Sequence, residues 1–331
     1  MTRIQLTATA LARLRPRLDA LAHPFEYVVM DETGTLRLEG REVTPEQANS
    51  ECGLLSNDLF FATFQMAYVD ALVRSPALKW VQSCGAGLDH PMFAALARHR
   101  SDIRLSTNHT QGGGMAEYVM WGVLSHFHSG AAQVIPGEHR WIRRRAREIN
   151  GTRWLIIGFG SIGQEVARRA KAFGAHVTGV RRRPQPSLLA DAVVAPDEVL
   201  AALTNTDVVV LCMPQTKDTV NLVDAEFLAA MKPTSMLINV GRGSAIDDAA
   251  LLKSLDAGRP AHALLDVFRV EPLPPEHPFW SHPRITVTAH TSAVTTHWDT
   301  RLDELILDNI TRFLAGQPLR NEVPISEVPT S

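Results

Sequence analysis

Gly158-Phe159-Gly160-Ser161-Ile162-Gly163 spaces three glycines in the pattern of a phosphate-cradling loop. The apolar run Trp154-Leu155-Ile156-Ile157 precedes it, and a helix-like stretch from Gln164 to Phe173 follows. Between a strand and a helix the glycines have separate jobs: a tight turn, close backbone approach to a pyrophosphate, and close helix–strand packing. The helix amino terminus then presents unpaired N–H groups and a positive dipole end to the phosphates. An ordinary strand–helix connection can show the same pattern, but its placement here favours a dinucleotide site. Three more segments come directly off expected strands: Asn239-Val240-Gly241-Arg242-Gly243, Asp266-Val267-Phe268-Arg269-Val270-Glu271-Pro272 and Thr288-Ala289-His290-Thr291-Ser292. A doubly wound sheet gathers its ligands at the carboxyl ends of its strands, so Arg242, Glu271 and His290 would converge beside the dinucleotide. Singly they read as well as a surface ion pair, a solvated loop acid and a core histidine satisfied by backbone. Jointly they argue for a site.

The elements that must position these residues alternate between strand-like and helix-like, the signature of parallel sheets covered by helices. Early strands are expected at Glu26–Met30, Cys52–Leu55, Lys79–Ser83 and Ile103–Ser106, with helices at Met66–Arg74 and Met92–His99. A second series is expected at Arg153–Ile157, His176–Val180, Val208–Leu211, Met236–Asn239, His262–Leu265 and Ile285–Thr288. The prolines at 272, 274, 275 and 278 make that stretch a loop. Thr295 to Leu314 reads as a long helix stopped by Gly316 and Pro318. Met1 to Ala22 is richer in Arg than in acid, a faint likeness to an organellar leader. Leu11, Leu14, Leu18 and Leu21 lie at helical spacing, so it is read instead as a surface helix on the first domain. The basic run Arg140-Trp141-Ile142-Arg143-Arg144-Arg145-Ala146-Arg147 has no basic composition elsewhere to support a nucleic-acid patch and reads as a solvated connector or subunit contact.

At 331 residues, 45% hydrophobic and 21% charged, the chain can bury two domain cores. A formal net charge of −2 gives no reason to expect nucleic acid or an anionic membrane as partner. No apolar run approaches the roughly 20 residues that span a bilayer. Cys52, Cys84 and Cys212 are scattered without CxxC spacing. They read as reduced thiols of a cytoplasmic protein, and no metal site is expected.

In this order and spacing, the segments make the chain resemble the D-isomer-specific 2-hydroxyacid dehydrogenase family, most of all its short glyoxylate/hydroxypyruvate reductases. The likeness covers nearly the whole chain, including Gly85-Ala86-Gly87-Leu88-Asp89 and Ala116-Glu117. It implies an oxidoreductase that transfers hydride from NAD(P)H to a short 2-keto acid, giving a D-2-hydroxy acid. By this resemblance Arg242 forks onto the substrate carboxylate and keto oxygen, a geometry Lys cannot reproduce. His290 protonates the carbonyl oxygen, and Glu271 holds the ring and favours its imidazolium form. Gly85 and Ala86 would offer backbone N–H donors to the substrate, the plain alternative being a turn that needs φ > 0. Cys84 lacks the His-and-acid setting of a nucleophile. The cofactor set so implied is Gly158, Phe159, Gly160, Ser161, Ile162 and Gly163, with Pro214, Thr219, Val240, Gly241, Asp266 and Ser292.

Cofactor choice is read from the residues. An NAD-selective site usually places Asp or Glu about 20 residues past the glycine loop. This chain has Val180-Arg181-Arg182-Arg183 there. Arginine attracts and hydrogen-bonds a 2′-phosphate, so NADPH is expected over NADH, through Arg181 and Arg182. The competing reading is three solvated arginines.

The expected fold is α/β, with two doubly wound parallel-sheet domains. Residues 1–105 plus 291–331 form a smaller flavodoxin-like substrate domain, and residues 106–290 an NAD(P)-binding Rossmann domain. The resemblance adds a homodimer. Two alternatives stay open: an NAD-dependent D-2-hydroxyacid dehydrogenase of another substrate, and a dinucleotide-sensing, corepressor-like binding protein. The path of the glycine triplet Gly112–Gly114 is undefined.

Overall fold

The computed structural model describes residues 1–132, 143 and 145–328, so much of the basic run at 140–147 lies outside the described residues. Two compact units emerge, Met1–Thr110 with Thr296–Ser331, and Gln111–Thr295. The chain was expected to cross at 105/106 and 290/291.

The first unit runs β1 (Thr2–Thr7), α1 (Ala8–Asp19), β2 (Phe25–Met30), β3 (Leu36–Leu38), β4 (Arg41–Glu42), α2 (Pro45–Ala48), β5 (Cys52–Leu54), α3 (Gln65–Val73), β6 (Trp80–Gln82), α4 (Pro91–His99) and β7 (Arg104–Ser106). Met1 to Ala22 is thus not a single helix. Ile4 and Leu6 are fully buried in β1, which lies inside the sheet between β5 and β2. Thr7 ends the strand and caps α1 by accepting from the Ala10 N–H. The helical leucine spacing holds only beyond that cap, where Leu14 and Leu18 are buried. The parallel strands follow the order β2-β1-β5-β6-β7, a flavodoxin-like arrangement.

The second unit contains α5 (Gly112–Ala132), β8 (Arg153–Ile157), α6 (Ser161–Ala172), β9 (His176–Val180), β10 (Ala192–Val194), α7 (Val199–Leu203), β11 (Val208–Leu211), α8 (Ala225–Ala230), β12 (Met236–Asn239), α9 (Asp248–Asp256), β13 (His262–Leu265) and β14 (Ile285–Val287). Its sheet order is β10-β9-β8-β11-β12-β13-β14, parallel throughout. Alternate strand residues enter two cores. Trp154, Ile156, Val208 and Val210 pack with α5 and α6, while Leu155, Ile157, Val209 and Leu211 pack with α7, α8 and α9. Burial on both faces is why these strands read as unbroken apolar runs.

The glycine triplet forms the first turn of α5. A Cβ on Gly112 would stand 3.2 Å from Glu165 Cγ and 3.3 Å from the Ser161 carbonyl, and one on Gly122 would stand 2.2 Å from Leu264 Cδ2. Poor intrinsic helix formers are placed here because α5 must lie close on α6 and β13, and tertiary packing outweighs propensity. Within the basic run, Arg147 is structural: its guanidinium lies 2.6 Å from Asp207 Oδ1 and 4.4 Å over the Phe127 ring.

Two segments close the first unit, α10 (Trp298–Leu314) and β15 (Glu322–Val323). Asn309 donates to Gln82 Oε1 at 2.7 Å and accepts from the Arg320 N–H at 2.7 Å, tying this return to the sheet.

His126 of α5 stacks on His262 of β13, with centroids 4.7 Å apart. Burial pushes His262 down to about 4, with His126 contributing, and burial followed by Arg147 lowers His126. His262 stays neutral in the fold until about 4 and His126 is held below its ordinary value, while the unfolded chain protonates near 6.5. The unfolded state therefore binds more protons as pH falls from about 6.5 to about 4, and stability drops across that window. We predict that Tm declines over this range and that His262→Gln flattens the slope; equal slopes would exclude the pair as the cause.

Candidate functional site

One row of residues crosses the second unit's sheet in register: Val180, Ile157, Leu211, Asn239, Leu265 and Val287. Each ends its strand, or nearly so, and every loop singled out in the sequence starts beside it.

The glycine loop leaves Ile157. Gly158 takes φ +93°, and a Cβ there would sit 2.5 Å from Met213 N. A Cβ on Gly163 would be 2.5 Å from the Gly158 carbonyl, so the first and third glycines permit close packing. A Cβ on Gly160 would meet nothing within 4 Å, which leaves open space at the amino terminus of α6, where Ser161 and Ile162 begin the helix. That space fits a pyrophosphate. Phe159 is different. Its ring is buried against Gly179 and its N–H donates to the Val180 carbonyl, so it braces the loop.

Arg181, Arg182 and Arg183 follow Val180, all exposed, and none enters an ion pair among the described residues. On the next loop Pro214 is exposed, while the Thr219 hydroxyl donates to the Pro214 carbonyl and accepts from the Thr216 N–H. Thr219 therefore closes this loop.

Asn239, fully buried, organises the arginine loop by accepting from the Gly241 N–H at 3.0 Å and donating to the Arg242 carbonyl at 2.9 Å. A Cβ on Gly241 would lie 2.7 Å from the Met213 carbonyl, and one on Gly243 only 1.8 Å from the Phe268 carbonyl carbon. The arginine and glutamate loops thus touch backbone to backbone. Val240 is buried, so only its backbone could meet a cofactor.

Glu271 Oε1 accepts from the Phe268 N–H at 2.8 Å, and Oε2 lies 2.7 Å from His290 Nδ1. Burial pushes the Glu271 carboxyl up, but the bonds from His290 and Phe268 and the charges of His290 and Arg242 outweigh it, leaving it below the usual range. The arginine, carboxylate and imidazole are therefore gathered within electrostatic reach.

Asp266, also fully buried, serves the histidine loop. Its carboxylate accepts from Thr288 Oγ1 at 2.6 Å and from the N–H groups of Thr291 and Ser292, each at 2.9 Å. Its carbonyl accepts from the His290 N–H at 2.8 Å. These bonds hold His290 at φ +52°, a backbone conformation that favours glycine. The Asp266 carboxylate and the Ser292 N–H thus shape this loop. Asn239 was not singled out as a site residue, although a polar residue closing an apolar strand was its signal.

In the first unit, neither Gly85 nor Gly87 takes a positive φ, which removes the strained-turn reading. The Gly85 N–H donates to Ser83 Oγ at 3.0 Å. Burial pushes the Cys84 thiol up to about 12, which disfavours a thiolate nucleophile. Among the described residues no cluster of potential metal ligands occurs, and no helix is long and apolar enough to cross a membrane.

A Rossmann unit with an arginine, a glutamate and a histidine at one sheet edge defines a class, the dinucleotide-dependent oxidoreductases. Residues 118–292 match the family "D-isomer specific 2-hydroxyacid dehydrogenase, NAD binding domain". The (S)-sulfolactate dehydrogenase of Chromohalobacter salexigens is 33% identical over 74% of this chain and 80% of its own length. Glyoxylate/hydroxypyruvate reductase A of Serratia proteamaculans is 32% identical over 61% of this chain and 64% of that enzyme. The NADPH-dependent glyoxylate/hydroxypyruvate reductase of Sinorhizobium meliloti, solved with NADP and sulfate, superposes with TM-score 0.77 at 26% identity, covering 99% of both chains. The chain belongs to the D-isomer-specific 2-hydroxyacid dehydrogenase family, whose members use NAD(P).

Gly243→Ala would drive a methyl group into the Phe268 backbone and part the two loops. We predict a loss of at least about tenfold in kcat/KM with far-UV circular dichroism unchanged, as a small misplacement of reacting groups costs much more in rate than in folding; activity within twofold of wild type would show the contact to be dispensable.

Proposed function

We propose that this protein reduces a short 2-keto acid of the glyoxylate or hydroxypyruvate type to its D-2-hydroxy acid, using NADPH. The observation that carries this reading is the His290–Glu271 pair, 2.7 Å apart and under the charge of Arg242. When bound, the nicotinamide supplies the hydride for the carbonyl carbon. Arg242 holds the substrate carboxylate through its planar fork and polarises the keto group. His290, with Nδ1 committed to Glu271, delivers a proton from Nε2 to the carbonyl oxygen. Glu271 keeps the ring oriented and compensates its positive charge.

Gly160 and the α6 amino terminus would hold the pyrophosphate, and Arg181 and Arg182 the 2′-phosphate. Two solved relatives carry the same cofactor type: the Sinorhizobium meliloti enzyme with NADP, and a Xanthobacter autotrophicus Py2 family member with NADPH. Cytoplasmic residence is proposed on the scattered cysteines Cys52, Cys84 and Cys212, which lack CxxC spacing, and a homodimer on family resemblance.

Arg181→Ala with Arg182→Ala should raise KM for NADPH about tenfold or more while KM for NADH moves little, because each guanidinium–phosphate bond is charge-assisted. Equal changes for both cofactors would defeat the assignment. His290→Ala should keep NADPH binding yet lose about 10²–10⁴-fold in turnover of glyoxylate or hydroxypyruvate. A dinucleotide sensor would bind NADPH and show negligible turnover in wild type and variant alike.

A further inference from the structure

Arg269 sits in the turn between Phe268 and Glu271, exposed and assigned no role in the chemistry. Its Nη2 donates to Asn221 Oδ1 at 2.5 Å, to the Ser244 carbonyl at 3.3 Å and to the Ile246 carbonyl. Two of these acceptors lie on the short helix and strand-like bridge immediately after Arg242. The third lies on the segment that pairs with it, where the Asn221 N–H donates to the Ser244 carbonyl and the Val223 N–H to the Ala245 carbonyl. Ser244 Oγ also donates to Gln215 Oε1 at 2.6 Å. The same turn is closed from within by the Phe268 N–H to Glu271. It also presses on Gly243 so closely that no Cβ fits between them.

We propose that Arg269 is a positioning residue, stapling the Glu271-bearing turn to the 244–246 segment and so fixing Arg242 relative to the His290–Glu271 pair. The 220–223 segment already pairs with 244–246 through backbone bonds, and Arg269 is the group that ties that pair to the Glu271-bearing turn. A cationic donor holds its acceptors more firmly than a neutral one. Because a single nitrogen reaches all three acceptors, an ammonium with three protons can take over much of the task, unlike the bidentate role given to Arg242. This inference rests on the activity proposed above for its kinetic arm only.

The kinetic test uses NADPH with glyoxylate or hydroxypyruvate on wild type, Arg269→Ala, Arg269→Lys, Arg242→Lys and the Arg269→Ala/Arg242→Lys double variant. Arg269→Ala should raise KM for the keto acid about tenfold, with KM for NADPH and Tm little changed, and Arg269→Lys should restore most of the loss. In the Arg242→Lys background Arg269→Ala should add almost nothing, since a residue that acts through another has no effect once that partner is altered. Additive losses, an unchanged KM, or a lysine variant as poor as alanine would overturn the proposal.

A second readout needs no turnover: amide hydrogen exchange of residues 243–247 should quicken in Arg269→Ala and recover in Arg269→Lys. Unchanged exchange would overturn the staple whatever the enzyme reduces. Failure of wild type to reduce any short 2-keto acid, with exchange behaving as expected, would instead remove the proposed activity and leave the staple standing.

Discussion

The register of one parallel sheet governs this molecule's chemistry. Val180, Ile157, Leu211, Asn239, Leu265 and Val287 form a single line of neighbours, and the strands stop at or just beyond it. Strands of one direction emit their loops on one side, so residues more than a hundred positions apart, from Gly158 to His290, are launched from a common edge. A slip of one residue in any strand would turn its alternating side chains to the wrong core and move its loop along the edge. The two apolar cores that enforce the register are therefore also what aligns the site.

From that edge, short polar tethers do the fine placement. Two buried polar side chains, Asn239 and Asp266, have their hydrogen bonds satisfied by the loops that carry Arg242 and His290. In a low-dielectric setting such bonds are strong when complete and costly when broken, so they hold a loop in one conformation. The left-handed backbone of His290 is the visible consequence: a conformation disfavoured for histidine is kept by its neighbours. Glycines act in the opposite sense. Gly163, Gly241 and Gly243 leave out side chains so that backbones can meet, and each contact is too tight for a methyl group.

Much of this was legible beforehand. The strands Arg153–Ile157, His176–Val180, Val208–Leu211, Met236–Asn239 and His262–Leu265 lie where they were expected, and in the central ones burial on both faces leaves little polar alternation to blur the limits. β1 was hidden because Thr2, Arg3, Gln5 and Thr7 interrupt its apolar residues, and Gln5 is buried with its side-chain amide donating to the Tyr68 carbonyl. The start of α5 was hidden because three glycines argue against a helix until α6 is seen packed against them.

Local composition determined the strand–loop–helix unit around Gly158, the alternation that makes both sheets parallel at their centres, and the presence of Arg242, Glu271 and His290 at strand ends. These follow from patterns a few residues long, set by periodicity and backbone freedom. Only the tertiary structure decided which groups are used up within the protein. The Phe159 and Ser292 N–H groups, the Thr219 hydroxyl and the Asp266 carboxylate brace loops, and Arg269 joins the 268–271 turn to the 244–246 segment across a gap in sequence. The physical reason is that a hydrogen bond depends on which donor and acceptor meet in space, and partners far apart along the chain leave no mark in the spacing of residues.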